Sequence, residues 1–329
     1  MEPVVSICIP TYNGARWLRN CIASAQACSV ACEIIVVDDG SSDSTVAVAN
    51  ELAASDNRIR VLVNPVNLGL VGNWNRCLEL ASGKWIKFLF QDDLLGEQCI
   101  ERMVSAAGDT GVIVAARRNY VFVANTSKEA REYYTEQVRT LDKVAPDETR
   151  FTADRISRLA AHYPSVNFIG EPSTVIFQRE LIQTLGIFDT QLKQLCDLEF
   201  WLRLASQHGL VYEPHATVDF MIHDDSMSSQ NAGGRNFIST YLDPIRVVSA
   251  QLNGKQYQTF RSNISSETNK RLQMWLELRC YEAKKNARTA EHLQQIETFF
   301  LERPELRRAA SSMKTKLLFG LLQLKRKFR

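Results

Sequence analysis

EIIVVDDGSSDST, residues 33–45, is the stretch that decides the fold. Four consecutive Ile and Val residues follow Glu33, which is typical of a strand buried on both faces of a sheet. The polar turn DDGSSD ends this strand, and a small-residue helical pattern follows at about 43–54. A buried strand, a polar turn and a helix in this order indicate the repeating unit of a parallel α/β sheet.

The same unit recurs on both sides of this stretch. Apolar runs alternate with helical patterns through the first hundred residues, and further strand candidates follow. The strand candidates are 4–10, 33–37, 58–63, 85–90, 111–116, 173–178, 210–214 and 217–223. The alternation predicts an α/β fold with a mostly parallel sheet flanked by helices. Residues 125–165 are interpreted as a polar insertion with helical stretches, and the chain after about residue 235 as a helical C-terminal extension.

Composition excludes several classes of protein. The chain has 329 residues and a net charge of only +2, so nothing calls for nucleic acid as a partner. Its eight Cys lack metal-ligand spacing and are expected to be buried free thiols in a reducing compartment. The start has no signal-peptide pattern, and no apolar run reaches the roughly 18 residues that span a bilayer. We expect a cytoplasmic protein that can still touch a membrane.

Polar residues at the ends of the predicted strands are the first candidates for a site, because such sheets bind ligands beyond their carboxyl edge. The first strand ends in PTYNG (10–14), whose aromatic ring and backbone groups can hold a flat base. At the end of the second, Asp38 or Asp39 can accept the N–H of a uracil or guanine ring. After the fourth, Asp92 and Asp93 point different ways, so that one can face a ribose and the other a divalent cation.

Three further groups of polar residues are less specific. Asp197 and Glu199 lie in CDLEFWLRLA (196–205), where the helix dipole alone would favour acids near the start. His223 follows the last strand candidate and is either an ordinary polar group or a phosphate or metal contact. Glu171 lies in a turn that can border an acceptor site.

Together these segments resemble family 2 glycosyltransferases of the GT-A (Rossmann-like) fold. The resemblance covers roughly residues 4–225 and depends on the order and spacing of five segments. They are VSICIPTYNG (5–14), EIIVVDDGSSDST (33–45), NLGLVGNWNRCLELASGKWIKFLFQDD (67–93), IGEPSTVIFQRE (169–180) and CDLEFWLRLA (196–205). It implies a hexosyltransferase-type enzyme that transfers a sugar, with inversion, from a nucleoside-diphosphate sugar such as a UDP-sugar. The implied acceptor is a saccharide or a lipid-linked molecule, in the assembly of a surface polysaccharide or another glycan.

The resemblance also implies domains and residue roles. Residues 1–235 would form the catalytic domain, with a nucleotide-sugar-binding half at 1–100 and an acceptor half at 101–235. Asp93 would hold Mg²⁺ or Mn²⁺, with His223 as a further metal or diphosphate contact. Asp197 would be the catalytic base, with Glu171 and Glu199 on the acceptor side. The nucleotide pocket would be lined by Pro10, Thr11, Tyr12, Asn13, Asp39, Asn75, Arg76 and Asp92.

Three residues depart from the family pattern. Phe90 stands where the metal motif often begins with an Asp. Trp74 stands where many members carry a basic residue, which leaves Arg76 as the substitute. Cys196 stands where a Glu often precedes the base, so we expect the pKa of Asp197 to be less prone to rise.

Two alternatives to an active glycosyltransferase stay open. A Rossmann-type dehydrogenase would carry GxGxxG after the first strand, but PTYNGA has one glycine, and Gly69 and Gly72 give only GxxG. A catalytically inactive, nucleotide-sugar-binding scaffold is compatible with the substitutions at 74, 90 and 196. Release of free nucleoside diphosphate from a donor would distinguish an enzyme from a scaffold.

The C-terminal region, 236–329, ends in a basic segment. Residues 303–329 contain nine Lys or Arg and one acid, and Leu residues recur at helical spacing. This predicts a basic amphipathic tail at 314–329. Such a helix lies on an anionic membrane surface, here at the inner face of the cell membrane, or packs on the catalytic domain or on a sister subunit of a homo-oligomer. The sequence leaves these alternatives open.

Overall fold

The computed structural model of the chain describes residues 3–124, 126–223 and 236–311, together with residues 315 and 319. In this part, one sheet is flanked by helices. Its strands are β1 (Val5–Thr11), β2 (Cys32–Asp38), β3 (Ile59–Val63), β4 (Trp85–Phe88), β5 (Leu94–Leu95), β6 (Ile113–Phe122), β7 (Arg150–Phe151), β8 (Val175–Gln178) and β9 (Leu210–Ile222). The predicted α/β class is confirmed.

Helices connect most of these strands and make up the described chain after residue 236. The α-helices are α1 (Ala15–Gln26), α2 (Thr45–Ala53), α3 (Gly69–Leu80), α4 (Cys99–Ala107), α5 (Lys128–Glu132), α6 (Leu141–Val144), α7 (Ala153–His162), α8 (Leu181–Leu185), α9 (Cys196–His208), α10 (Asp243–Asn253), α11 (Gln258–Ser262), α12 (Ser266–Asn286), α13 (Ala290–Glu302) and α14 (Pro304–Ser311). The segments Tyr133–Gln137 and Ile238–Leu242 are π-helical, and Pro172–Thr174 and Lys255–Tyr257 are 3₁₀-helical.

The strand order is β3-β2-β1-β4-β8-β6-β9-β5, with β7 also paired to β9. The first four strands are parallel, as the alternating pattern predicts. β8 runs antiparallel to both β4 and β6, while β6 and β9 are parallel. The sheet is therefore parallel in its first half and mixed in its second.

One long strand replaces two predicted ones at the end of the sheet. Residues 210–214 and 217–223 were expected to be separate strands, whereas β9 runs through both. Its pairing with β6 shifts between Ala116 and Arg117, where Glu213 and Thr217 are the successive partners. Pro214 lies in the intervening segment, and because proline has no N–H to donate, it is tolerated at such a bulge.

Apolar side chains form a large cluster on each face of the sheet. Leu18 and Ile22 of α1 belong to one cluster. The other includes residues of α3 and α9 together with the helices after residue 236, for example Leu276 and Phe299. The C-terminal helices thus share a core with the sheet.

Two expectations concern the whole chain. All eight cysteines are free and buried, as predicted. No helix in the described ranges combines the length and apolar character needed to cross a membrane. The predicted basic tail at 314–329 lies outside the described residues, apart from 315 and 319.

Candidate active site at the carboxyl edge of the sheet

The polar turns after β1 and β2, residues 12–14 and 39–43, lie side by side at the carboxyl edge of the sheet and are called the rim below. Thr11 and Asp38 are register partners at the ends of these parallel strands, so the turns begin side by side. The Asn13 N–H donates to Ser41 Oγ at 2.8 Å, and the Ser42 N–H donates to Asn13 Oδ1 at 2.8 Å. These reciprocal bonds fix the two predicted loops against each other.

Gln91 joins the end of β4 to the same rim. The Tyr12 N–H donates to Gln91 Oε1 at 2.9 Å, and Gln91 Nε2 donates to the Tyr12 carbonyl at 3.1 Å. A Cβ at Gly14 would lie only 2.1 Å from Gln91 Oε1, so a larger residue there would displace the Gln91 amide from this position. Pro10 and Thr11 are buried beneath the rim, while Tyr12 is 51% exposed. Its exposed ring is suited to stacking on a flat base.

Asp39 connects the rim to the start of α3. Its buried carboxylate accepts from the backbone N–H groups of Leu68 and Gly69, at 2.8 and 2.9 Å, and from Asn64 Nδ2 at 2.8 Å. A negative charge is favourable at the N-terminus of a helix. Asp39 therefore has a structural function in the floor of the rim, and its contact with a nucleotide base stays a prediction.

The two carboxylates after β4 have different surroundings. Asp92 Oδ2 lies 2.9 Å from His223 Nε2, whose ring lies against Trp17 at a centroid distance of 5.0 Å. Asp93 is 1% exposed, and its Oδ1 accepts from the Met221 N–H at 3.2 Å. Burial, followed by the charge of Asp92, raises the pKa of Asp93 well above its ordinary value. Asp92 thus faces His223 while Asp93 is turned into the protein, and the assignment of the metal to Asp93 stays a prediction.

The pair of Asp92 and His223 is suited to a divalent cation. A carboxylate oxygen and an imidazole nitrogen can ligate Mn²⁺, while Mg²⁺ would favour the carboxylate. No group of three or more His, Cys, Asp or Glu side chains fit to hold a metal occurs in the parts of the chain that the structure describes. A cation at this pair would therefore need further ligands, such as the oxygens of a diphosphate.

Asp197 lies in the first turn of α9 and is 7% exposed. Its Oδ2 accepts from Asn167 Nδ2 at 2.8 Å, and its Oδ1 accepts from the Leu198 N–H at 2.7 Å. Burial, followed by the charge of Glu171, raises the pKa of Asp197 to about 7. The expectation that Cys196 would leave this pKa less raised is wrong, because burial replaces the effect of an adjacent carboxylate.

Arg118 organises the surroundings of this carboxylate. Its guanidinium contacts both oxygens of Glu171, at 3.0 and 3.1 Å, and donates to the carbonyls of Arg139 and Asn167 at 3.3 and 3.5 Å. Sequence reasoning identified Glu171 but missed Arg118 and Asn167. The available signal for Arg118 was the pair of Arg residues at 117 and 118 that follows the apolar run 111–116.

Glu199 is a buried residue with a structural ion pair, and its place on the acceptor side stays a prediction. Its carboxylate binds the Arg203 guanidinium through two bonds, at 3.0 and 2.9 Å. The Tyr257 hydroxyl donates to the Glu199 backbone carbonyl at 2.8 Å and lies 3.2 Å from its carboxylate. These contacts connect α9 to the C-terminal helices.

Asn75 and Arg76 are likewise directed away from the rim. The Asn75 amide is buried and exchanges two hydrogen bonds of 3.0 Å with the backbone of Phe188. Arg76 pairs with Glu79 at 2.7 Å on the exposed side of α3. That both residues line the nucleotide pocket stays a prediction, which these contacts do not support.

Trp74 and Phe90, which also depart from the family pattern, contact each other. The rings of Trp74 and Phe90 stack at 5.0 Å with an angle of 28°, and the edge of Phe188 meets Trp74 at 5.3 Å. An aromatic pair therefore occupies the place where the resemblance implies a basic residue and an Asp.

Solved structures share this architecture. The structure of S. aureus TarS 1–349 in complex with UDP-GlcNAc matches with a TM-score of 0.65 and 16% identity, over 97% of this chain and 84% of TarS. The mannosyltransferase PcManGT from Pyrobaculum calidifontis, in complex with GDP-Man and Mn²⁺, matches with a TM-score of 0.56 and 16% identity, over 98% and 88%. The fold is that of GT-A glycosyltransferases.

Sequence comparison then gives the family. The family model "Glycosyl transferase family 2" matches residues 6–170. The uncharacterized protein MT1568 of Mycobacterium tuberculosis (strain CDC 1551 / Oshkosh) is 31% identical over 223 residues, which are 65% of this chain and 66% of that protein. The chain thus spans just under two thirds of this relative. The protein belongs to glycosyltransferase family 2, which confirms the resemblance and removes the dehydrogenase alternative.

Proposed function

We propose that the protein transfers a sugar, with inversion, from a nucleoside-diphosphate sugar, a UDP-sugar by preference, to an acceptor hydroxyl. The observation that carries this proposal is the buried carboxylate of Asp197, which two hydrogen bonds orient and whose pKa is about 7. A general base is most effective when its pKa lies near the working pH. The charge of Glu171 acts on both Asp197 and Asp93, so the proposed base lies near the strand end that carries Asp92.

The donor is proposed to bind at the rim. The exposed ring of Tyr12 would stack on the base, and Asn13 and Asp39 would border it. Asp92 and His223 are the residues that would hold Mg²⁺ or Mn²⁺. A cation bound there would supply Lewis-acid stabilisation of the charge on the diphosphate.

The proton is proposed to leave the acceptor through Asp197. This carboxylate takes the hydroxyl proton while the acceptor oxygen attacks the anomeric carbon. The bond to the diphosphate breaks with its electron pair, and attack from the opposite face inverts the configuration. Asn167 and the Leu198 N–H orient the base, while Arg118 holds Glu171 nearby.

The test is turnover of nucleotide sugars with Mn²⁺, compared between the wild type and Asp197→Asn. We expect wild-type protein to release nucleoside diphosphate and Asp197→Asn to lose transfer while UDP still raises its melting temperature. Asp154→Asn, which changes a carboxylate in an exposed pair with Arg158, is the matched control. Near-normal turnover of Asp197→Asn would remove the base assignment. No release from any donor would favour the inactive scaffold instead.

The acceptor and the location remain proposals of the same kind. We place the enzyme in surface polysaccharide or glycan assembly, with a saccharide or lipid-linked acceptor. The basic composition of 314–329 supports contact with an anionic membrane from the cytoplasmic side. Deletion of 314–329 should abolish co-sedimentation with anionic liposomes, and unchanged co-sedimentation would remove this part of the proposal.

A further inference from the structure

A cluster of aromatic side chains lies beside the proposed base and has no role in the mechanism above. Tyr120 of β6 is the register partner of Phe220 of β9, and their rings meet edge to face at 6.3 Å. Tyr134 packs on Tyr120 at a centroid distance of 5.3 Å. Tyr133 then meets Tyr134 edge to face at 5.3 Å. Tyr134 and Phe220 are buried, whereas Tyr133 is 46% exposed. The cluster therefore fixes one exposed ring on a buried aromatic base.

Arg118 connects this cluster to the site. Arg118 and Tyr120 are two residues apart on β6, so their side chains leave the same face of the strand. The Arg118 guanidinium binds Glu171 and also the carbonyl of Arg139, which follows the π-helical turn that begins at Tyr133. Burial, followed by the charge of Glu171, raises the pKa of Tyr134, and the same Glu171 charge acts on Asp197. Glu171 is thus close both to the aromatic cluster that carries the exposed ring and to the proposed base.

Three features around the Tyr133 ring point to a ligand site. Tyr133 starts a π-helical turn, a rare conformation that occurs frequently at functional sites. The Tyr120 hydroxyl is buried and has no hydrogen-bond partner among the described residues. An unsatisfied buried hydroxyl is unfavourable, so a hydrogen-bond partner gained when a ligand binds would remove this cost. Glu171 keeps a partly exposed carboxylate that can accept further hydrogen bonds.

We propose that Tyr133 and Glu171 form a saccharide subsite for the acceptor. A pyranose has a face of C–H groups and a periphery of hydroxyls. The C–H face would pack on the Tyr133 ring, and a hydroxyl would donate to the Glu171 carboxylate. The proposal rests on the proposed function and narrows its acceptor to a saccharide, because an alkyl chain cannot donate a hydrogen bond to the Glu171 carboxylate.

The test measures the binding of three methyl glycosides by saturation-transfer NMR in the presence of saturating UDP. The glycosides are methyl β-D-glucopyranoside, methyl β-D-galactopyranoside and methyl 2-acetamido-2-deoxy-β-D-glucopyranoside. At least one should bind the wild type. Tyr133→Ala should weaken its Kd about tenfold, which is the order of one aromatic contact. Tyr133→Phe, which keeps the ring, should retain binding of the pyranoside. Tyr12→Ala should lose affinity for UDP but still bind the pyranoside when UDP is absent.

The outcomes separate this inference from the proposed function. If UDP binds but no methyl pyranoside binds, or if Tyr133→Ala binds them as tightly as the wild type, the subsite is refuted and the proposed function stands. Binding of octyl β-D-glucopyranoside without any methyl pyranoside shows recognition of the alkyl chain and also refutes the saccharide class. If no nucleotide or nucleotide sugar binds, the proposed function fails, and the Tyr133 variants still decide the subsite.

Discussion

Replacing Asp197 by Asn removes a titrating group from the protein interior with almost no change in size. In the wild type the folded state holds the Asp197 proton up to about pH 7, whereas the unfolded chain releases it near the ordinary value of 3.8. Between these pH values the folded state binds more protons than the unfolded state. The contribution of Asp197 to the free energy of unfolding therefore falls as the pH rises through this window.

The size of this effect follows from the two pKa values. Between about pH 5 and about pH 8, the wild type loses about 2.5 kcal/mol of stability through Asp197, at about 1.4 kcal/mol per pKa unit. Asn at this position does not titrate, so the variant does not lose this stability as the pH rises. The Asn amide can accept only one of the two hydrogen bonds, from Asn167 or from Leu198, which costs about 1 kcal/mol at either pH.

The difference between variant and wild type should therefore move in favour of the variant by about 2.5 kcal/mol from about pH 5 to about pH 8. Urea unfolding followed by circular dichroism at both pH values measures it, and other titrating groups cancel in the difference. The control Asp154→Asn changes an exposed carboxylate and should show almost no pH-dependent difference. If the difference for Asp197→Asn is also independent of pH, the burial of an ionisable Asp197 is wrong.

Three further results are expected. Asp92→Asn, and separately chelation by EDTA, should lower kcat about a hundredfold or more, with Mn²⁺ restoring only the chelated wild type; full activity in EDTA would contradict the metal proposal. Glu199→Gln should lower the free energy of unfolding by about 3 kcal/mol, because Arg203 loses its buried counter-charge. If this variant instead raises the KM for the acceptor far above that of the wild type, Glu199 contacts the acceptor. Trp74→Ala should cost about 3–5 kcal/mol in urea unfolding, and a loss below about 1 kcal/mol would show that its stack on Phe90 contributes little packing.

Much of the fold could be predicted because its strands are continuous apolar runs. The strands β1 and β2 are buried at every position, so their sequences contain no competing pattern. The direction of β8 could not be predicted in the same way, because the pattern of a short buried strand does not depend on whether its neighbours run parallel. The continuity of β9 through Pro214 depends on a bulge against β6, which local sequence does not show.

The site shows the same division between local and distant causes. The strand ends could be found because the chain direction alone brings them to one edge. The different surroundings of Asp92 and Asp93 depend on Met221 and His223, which are far away in the chain. Asn167 orients Asp197 through a contact that only the folded chain creates. Nucleotide, metal and base roles therefore remain predictions, although the contacts now limit which residues can carry them.

The stack of Trp74 on Phe90 bears on how such a chain can diverge from its relatives. A lone carboxylate at position 90 would face a buried indole, and a lone basic residue at position 74 would face an aromatic ring and the edge of Phe188. Either charge alone would lack its counter-charge among these rings, whereas the double change exchanges one pair for another. We therefore expect the two positions to change together in relatives of this chain.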